Sequence, residues 1–184
     1  MKATETKLLE FLKGPKQFVI PIYQRTYSWT PKQCEQLWKD IIRATDESVS
    51  GHFVGSIVYI EKGLYQISSV PKLFVIDGQQ RLTTISLMIS AFGRAIRQQG
   101  GELEISQKKL NNYFLFNNEE EGDLHYKLLL TQSDKHTLIN LLKEKELPDP
   151  TSKRVVENYE FFEKRFASRI SILLLFTKEL LNLS

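Results

Sequence analysis

Residues 73–101 read LFVIDGQQRLTTISLMISAFGRAIRQQGG, and they require a strand to give way to a helix across a very short turn. The run from Leu73 to Ile76 is apolar and β-branched, and Asp77-Gly78 makes the turn. Ile85, Met88, Ile89, Phe92 and Ile96 then recur at helical spacing until Gly100-Gly101 ends the helix. Such a junction has a chemical consequence. The amides of Gln79, Gln80 and Arg81 become unpaired donors at a helix N-terminus, and Gly78 allows close approach to the backbone, as a phosphate requires. Arg81 supplies a permanently charged fork of donors. Thr83 and Thr84 add hydroxyls on the first turn, and Asp77 is placed to hold a magnesium ion or a ribose hydroxyl. A plain turn, with Asp77 capping the helix and Arg81 exposed, accounts for the same spacing.

The rest of the chain alternates short strands with helices. Residues 4–13 predict a helix stopped by Gly14-Pro15, and QFVIPIY predicts a strand that ends at Pro21 or lies at an edge. Thr30, Pro31 and Gln33 form a cap, a first helical position and a capping box for a helix over 31–46. HFVGSIVYI (52–60) is apolar on both faces and predicts a buried strand, with a turn near Gly63 and a further strand at 64–68. Beyond it come a helix within 105–118, a solvated acidic loop EEEGD at 119–123, a short strand in KLLL, and a helix capped by Ser133. Pro148 and Pro150 then precede a long helix from about 152, whose apolar stripe (Val155, Tyr159, Phe162, Phe166, Ile170, Leu173, Leu174, Phe176, Leu180, Leu181) broadens toward its end. A helix apolar nearly all round is buried, so this one packs on the first domain, on a partner or on a second copy, or leads into a further domain.

A second polar cluster, IPIYQRTYSW (20–29), follows the first strand. Gln24-Arg25 sits among Tyr23, Tyr27 and Trp29, which either form a stacking wall around a cation opposite the first cluster or are core residues preceding the Thr30 cap.

Composition narrows the classes. With 41% hydrophobic and 26% charged residues the chain is of ordinary globular type. Cys34 is the single cysteine, which excludes a disulfide framework, fits a cytoplasmic location and reads as a small buried thiol on a helix face. His52, His125 and His136 have no metal-ligand spacing, and no apolar run approaches the roughly 20 residues that span a bilayer. Residues 1–100 carry 13 Lys and Arg against 8 Asp and Glu, whereas the remainder carries 12 against 14. That excess is too weak for nonspecific nucleic-acid binding by field alone, but it suits a local anion site.

Taken together, IPIYQRTYSWTPKQCEQLWKDI, HFVGSIVYI and FVIDGQQRLTTISLMISAF closely resemble the DGQQR-motif domain at the N-terminus of GmrSD-type, modification-dependent restriction enzymes, a family related to the ParB/sulfiredoxin fold. The resemblance covers residues 5 to about 166. It implies an α+β fold, a small mixed β-sheet with flanking helices. It implies a ParB/sulfiredoxin-like nucleotide-binding domain at 1–104 followed by a helical extension at 105–184. It also implies a domain that binds, and often hydrolyses, a nucleoside triphosphate (GTP, CTP or ATP) with magnesium to regulate DNA cleavage by a nuclease domain or subunit.

Carried over by position, Asp77, Gly78, Gln79, Gln80 and Arg81 match the DGQQR motif, and Gln24 and Arg25 match its upstream partner. Asp77, Gln80 and Arg81 are the expected catalytic residues. The carboxamides of Gln24, Gln79 or Gln80 are expected to read the base or orient a water. Two departures limit the transfer: the chain lacks the His-Asn-His nuclease motif of complete enzymes, and it has Gln where sulfiredoxins place a phosphate-loop Cys. DNA cleavage and sulfinic acid repair by this chain are therefore not expected. The competing expectation is a DNA-binding or protein-interaction module without turnover, and a homodimer through the C-terminal apolar helix is a further one.

Overall fold

The computed structural model describes residues 6–44, 55–61, 70–100 and 105–168. Four strands form one mixed sheet in the order β2-β3-β1-β4: β1 (Gln17–Val19), β2 (Val58–Glu61), β3 (Lys72–Asp77) and β4 (Leu128–Leu129). β1 lies parallel to both β3 and β4, with Phe18 opposite Leu73 and Leu128, and β2 runs antiparallel to β3. Pro21 falls just after β1, so its missing N–H costs the ladder nothing. The architecture is α+β with a helical C-terminal part, as the resemblance implies.

The helices are α1 (Leu8–Leu12), α2 (Pro31–Ala44), α3 (Gln79–Gln99), α4 (Gln107–Leu110, continuing as a π-turn through Leu115), α5 (Gln132–Leu142) and α6 (Lys153–Ala167). α3 is buried on nearly every side, because α4 and α6 both pack against it and its first turn rises from the sheet. Val155, Tyr159, Phe162 and Phe166 of α6 are all buried, and Phe166 meets both Phe92 of α3 and Trp38 of α2. Each such side chain contributes about 1.5–3 kcal/mol through burial. One apolar cluster runs from Leu12 to Phe166, so the described parts of 1–104 and 105–184 share a core.

Two expectations need correcting. Residues 58–60 do not form a buried strand: β2 is the sheet edge, and Val58, Tyr59 and Ile60 are 36%, 41% and 58% exposed. Apolar residues on both faces do not reveal whether a strand has one neighbour or two. Ser133 does not cap α5 either. The helix begins at Gln132 with Thr131 at the cap, where Thr131 O accepts Lys135 N, and Ser133 O accepts the hydroxyl of Thr137.

Other details agree. Thr30 N–H donates to Gln33 Oε1 at 2.9 Å, completing one arm of the capping box, and Gly100 ends α3 with φ 61°. Cys34 is fully buried, and burial raises its thiol to about pH 11, leaving it protonated at neutral pH. Among the described residues no helix is long and apolar enough to cross a membrane. His52, the strand expected at 64–68 and the apolar stripe beyond 168 lie outside the described residues.

Candidate functional site

Because β3, β1 and β4 are parallel, their carboxyl ends open onto the same edge of the sheet. From that edge the chain leaves through Gly78 into α3, through Ile20 into the 20–30 loop, and through Leu130 into α5. Open sheets with parallel strands place ligands at this end, where helix N-termini and loops converge.

The turn after β3 has the form an anion site needs. Gly78 takes φ 95° at the N-cap of α3 and supplies no side-chain cap, and the first helical bond runs from Leu82 N–H to Gly78 O at 3.0 Å. The amides of Gln79, Gln80 and Arg81 therefore have no acceptor among the described residues. Asp77 does not cap the helix; its carboxylate, 66% exposed, stands 3.7 Å from Arg81 Nη2. Arg81 is not left in solvent: its side chain is 25% exposed and donates to Ser56 O at 2.8 Å.

The two neighbouring glutamines do different work. Gln79 Nε2 donates to Gln24 Oε1 at 3.3 Å and Gln24 Nε2 donates to Ile76 O at 3.0 Å, so a pair of carboxamides joins the ends of β1 and β3. Gln80 points the other way. Its Oε1 accepts from Ser28 N–H and Trp29 N–H, and its Nε2 donates to Thr26 O. Thr83 and Thr84 are buried, and each hydroxyl donates to the carbonyl four residues back, at Gln79 and Gln80.

The lower part of the 20–30 loop is held from three helices. Tyr27 N–H donates to Asp134 Oδ2 of α5 at 2.6 Å, and Ser152 Oγ donates to the other oxygen of the same carboxylate. The Tyr27 hydroxyl lies 2.6 Å from Thr84 Oγ1 of α3 and accepts from Asn158 Nδ2 of α6 at 2.8 Å; Asn158 also donates to Trp29 O. Burial drives the Tyr27 phenol well above its ordinary pKa, so it remains a neutral donor. Tyr27 is thus a core residue and Trp29 packs half-buried against the core. The tip differs: Tyr23 is 73% exposed, and Arg25 is exposed with no ion pair or hydrogen bond among the described residues.

Arg25, Gln79, Gln80 and Asp134 line a cleft of only about 10 Å³, room for one water. A larger ligand at this end must lie over the rim, where Asp77, Gln24 and Arg25 are accessible. A roomier concavity, about 500 Å³, lies elsewhere, between the acidic 120–123 loop and α5. Its lining mixes Glu120, Asp123, Lys135 and Lys143 with His125 and His136, and no group of three or more His, Cys, Asp or Glu among the described residues could hold a metal ion. His125 stacks on Phe116 with its Nδ1 3.2 Å from Asn117 O, and His136 is exposed.

Sequence reasoning missed Asp134 and Asn158. Asn158 carried one legible signal, a carboxamide inside the apolar stripe between Val155 and Tyr159. Asp134 carried none, since its partner Tyr27 is 107 residues away.

A mixed sheet whose parallel strands deliver a glycine turn, free helix amides and two arginines to one edge defines a candidate anion-binding α+β domain. Residues 8–183 match the family described as GmrSD restriction endonuclease, N-terminal domain, and the chain belongs to that family, as the paired motifs indicate. A search of curated proteins finds no match.

Proposed function

We propose that this domain binds a nucleoside triphosphate, and hydrolyses it with magnesium, to regulate a DNA-cleaving domain or subunit of a restriction system. The observation that carries this reading is the convergence of the Arg81 side chain with three amides at the start of α3 that have no acceptor among the described residues, beside the exposed Asp77 and Arg25, whose side chain has no partner among the same residues. Phosphate oxygens satisfy both the amides and the guanidinium groups. Magnesium in nucleotide sites is held by one or two carboxylates together with substrate phosphates. Asp77, exposed and only weakly engaged by Arg81, fits that role.

The roles divide accordingly. Gly78, the amides of residues 79–81, Arg81 and Arg25 hold phosphates; Asp77 holds the metal; the Gln24–Gln79 pair meets the base or a water. Gln80, Thr83 and Thr84 are occupied in supporting the 26–29 backbone and the first turn of α3.

Isothermal titration of each nucleoside triphosphate with magnesium tests the reading. Arg81→Ala is expected to weaken binding by about 1.5–3 kcal/mol, the scale of hydrogen bonds to a charged group. Absence of binding by every triphosphate, or binding unchanged by Arg81→Ala, contradicts it. The exposed Ile22 and Tyr23 beside Arg25 favour a second reading, a DNA-contacting loop without turnover. DNA binding that needs no nucleotide and falls steeply with salt would select it.

A further inference from the structure

The backbone that leads into β2 lies directly over the Asp77-Gly78 turn, and two glycines make that approach feasible. A Cβ on Gly78 would stand 3.1 Å from both Ser56 O and Ile57 Cγ1. From the opposite side, a Cβ on Gly55 would stand 2.5 Å from Arg81 Nη1 and 2.9 Å from Arg81 Cζ, and Gly55 has φ 103°. Arg81 is therefore seated against bare backbone. Ser56 O accepts from one of its donors at 2.8 Å, and its Nε is buried without a partner among the described residues. Asp77, at 3.7 Å, is beyond hydrogen-bond distance, and among the described residues the remaining donors of the fork have no acceptor. A guanidinium carries five donors in a fixed plane, so one bond donated to a backbone carbonyl, together with the close backbone of Gly55, restricts where the other donors point.

We propose that Gly55 and Ser56 are positioning residues for Arg81: the missing side chain of Gly55 and the carbonyl of Ser56 hold the guanidinium beside the α3 amides, oriented for a phosphate. This rests on the phosphate-binding reading of that site. A methyl group at position 55 displaces the far end of the Arg81 side chain and breaks its bond to Ser56, so the harm done by Gly55→Ala depends on what stands at position 81.

The test compares the unaltered protein, Gly55→Ala, Arg81→Ala and the double variant by calorimetric titration with inorganic tripolyphosphate and by thermal melting. Gly55→Ala is expected to weaken binding about tenfold when Arg81 is present and less than about twofold when it is absent, the non-additivity of residues in contact. Equal weakening in both backgrounds overturns the positioning role while leaving the phosphate site standing. Tripolyphosphate binding that Arg81→Ala leaves unchanged overturns the phosphate reading and this inference with it. Should Gly55→Ala fail to fold, the double variant decides: one that regains a cooperative melting transition supports the contact, and one that stays unfolded overturns it.

Discussion

The 20–30 loop divides into two unequal stretches. From Thr26 to Trp29 the backbone is bound by Gln80 of α3, Asp134 of α5 and Asn158 of α6, with the Tyr27 side chain buried among them. From Ile22 to Arg25, only a few residues earlier, Ile22 and Tyr23 are more than 70% exposed, and the Arg25 side chain binds nothing among the described residues. Backbone amides and carbonyls withdrawn from water must find partners, and around the buried Tyr27 helices distant in sequence supply them. An anchored base therefore carries an exposed tip, tied down only at Gln24 through Gln79 and Ile76 O, where Arg25 stands without burying an unpaired charge.

The contrast can be broken in order of effect. Asp134→Ala leaves the Tyr27 N–H and the Ser152 hydroxyl without their buried acceptor and is expected to destabilise the protein by about 3 kcal/mol, read by urea unfolding. A loss under about 1 kcal/mol would mean that the base of the loop is not held as described. Gln80→Ala removes three bonds to a partly solvated backbone, which water can in part replace, and should cost about 1–2 kcal/mol in the same measurement. Arg25→Ala should change stability by less than about 0.5 kcal/mol, as exposed substitutions do, while still lowering triphosphate affinity. A large stability loss there would erase the distinction between tip and base.

Much of this organisation was legible from local pattern. The Thr30 cap, the Gly78 turn and the span of α3 depend on residues within a few positions of one another, and the structure places them where the sequence does. What could not be read was set at long range. The exposure of β2 follows from strand order rather than from the apolar run itself, and the start of α5 one residue before Ser133 follows from bonds to Thr131. Gln80 is the instructive residue of the site. The DGQQR pattern marks it beside Gln79 as though the two were alike, yet successive helix positions point about a quarter-turn apart, and Gln80 faces Thr26, Ser28 and Trp29 while Gln79 faces Gln24.

The central claim, that the α3 amides and Arg81 receive a phosphate while the anchored loop base supports them, is most directly tested by backbone amide NMR during titration with a magnesium nucleoside triphosphate. The largest shifts are expected at Gln79, Gln80 and Arg81, with Arg25 following and residues 26–29 moving little. Shifts confined to α5 and the 120–123 loop, or none at residues 79–81 at saturation, would contradict it.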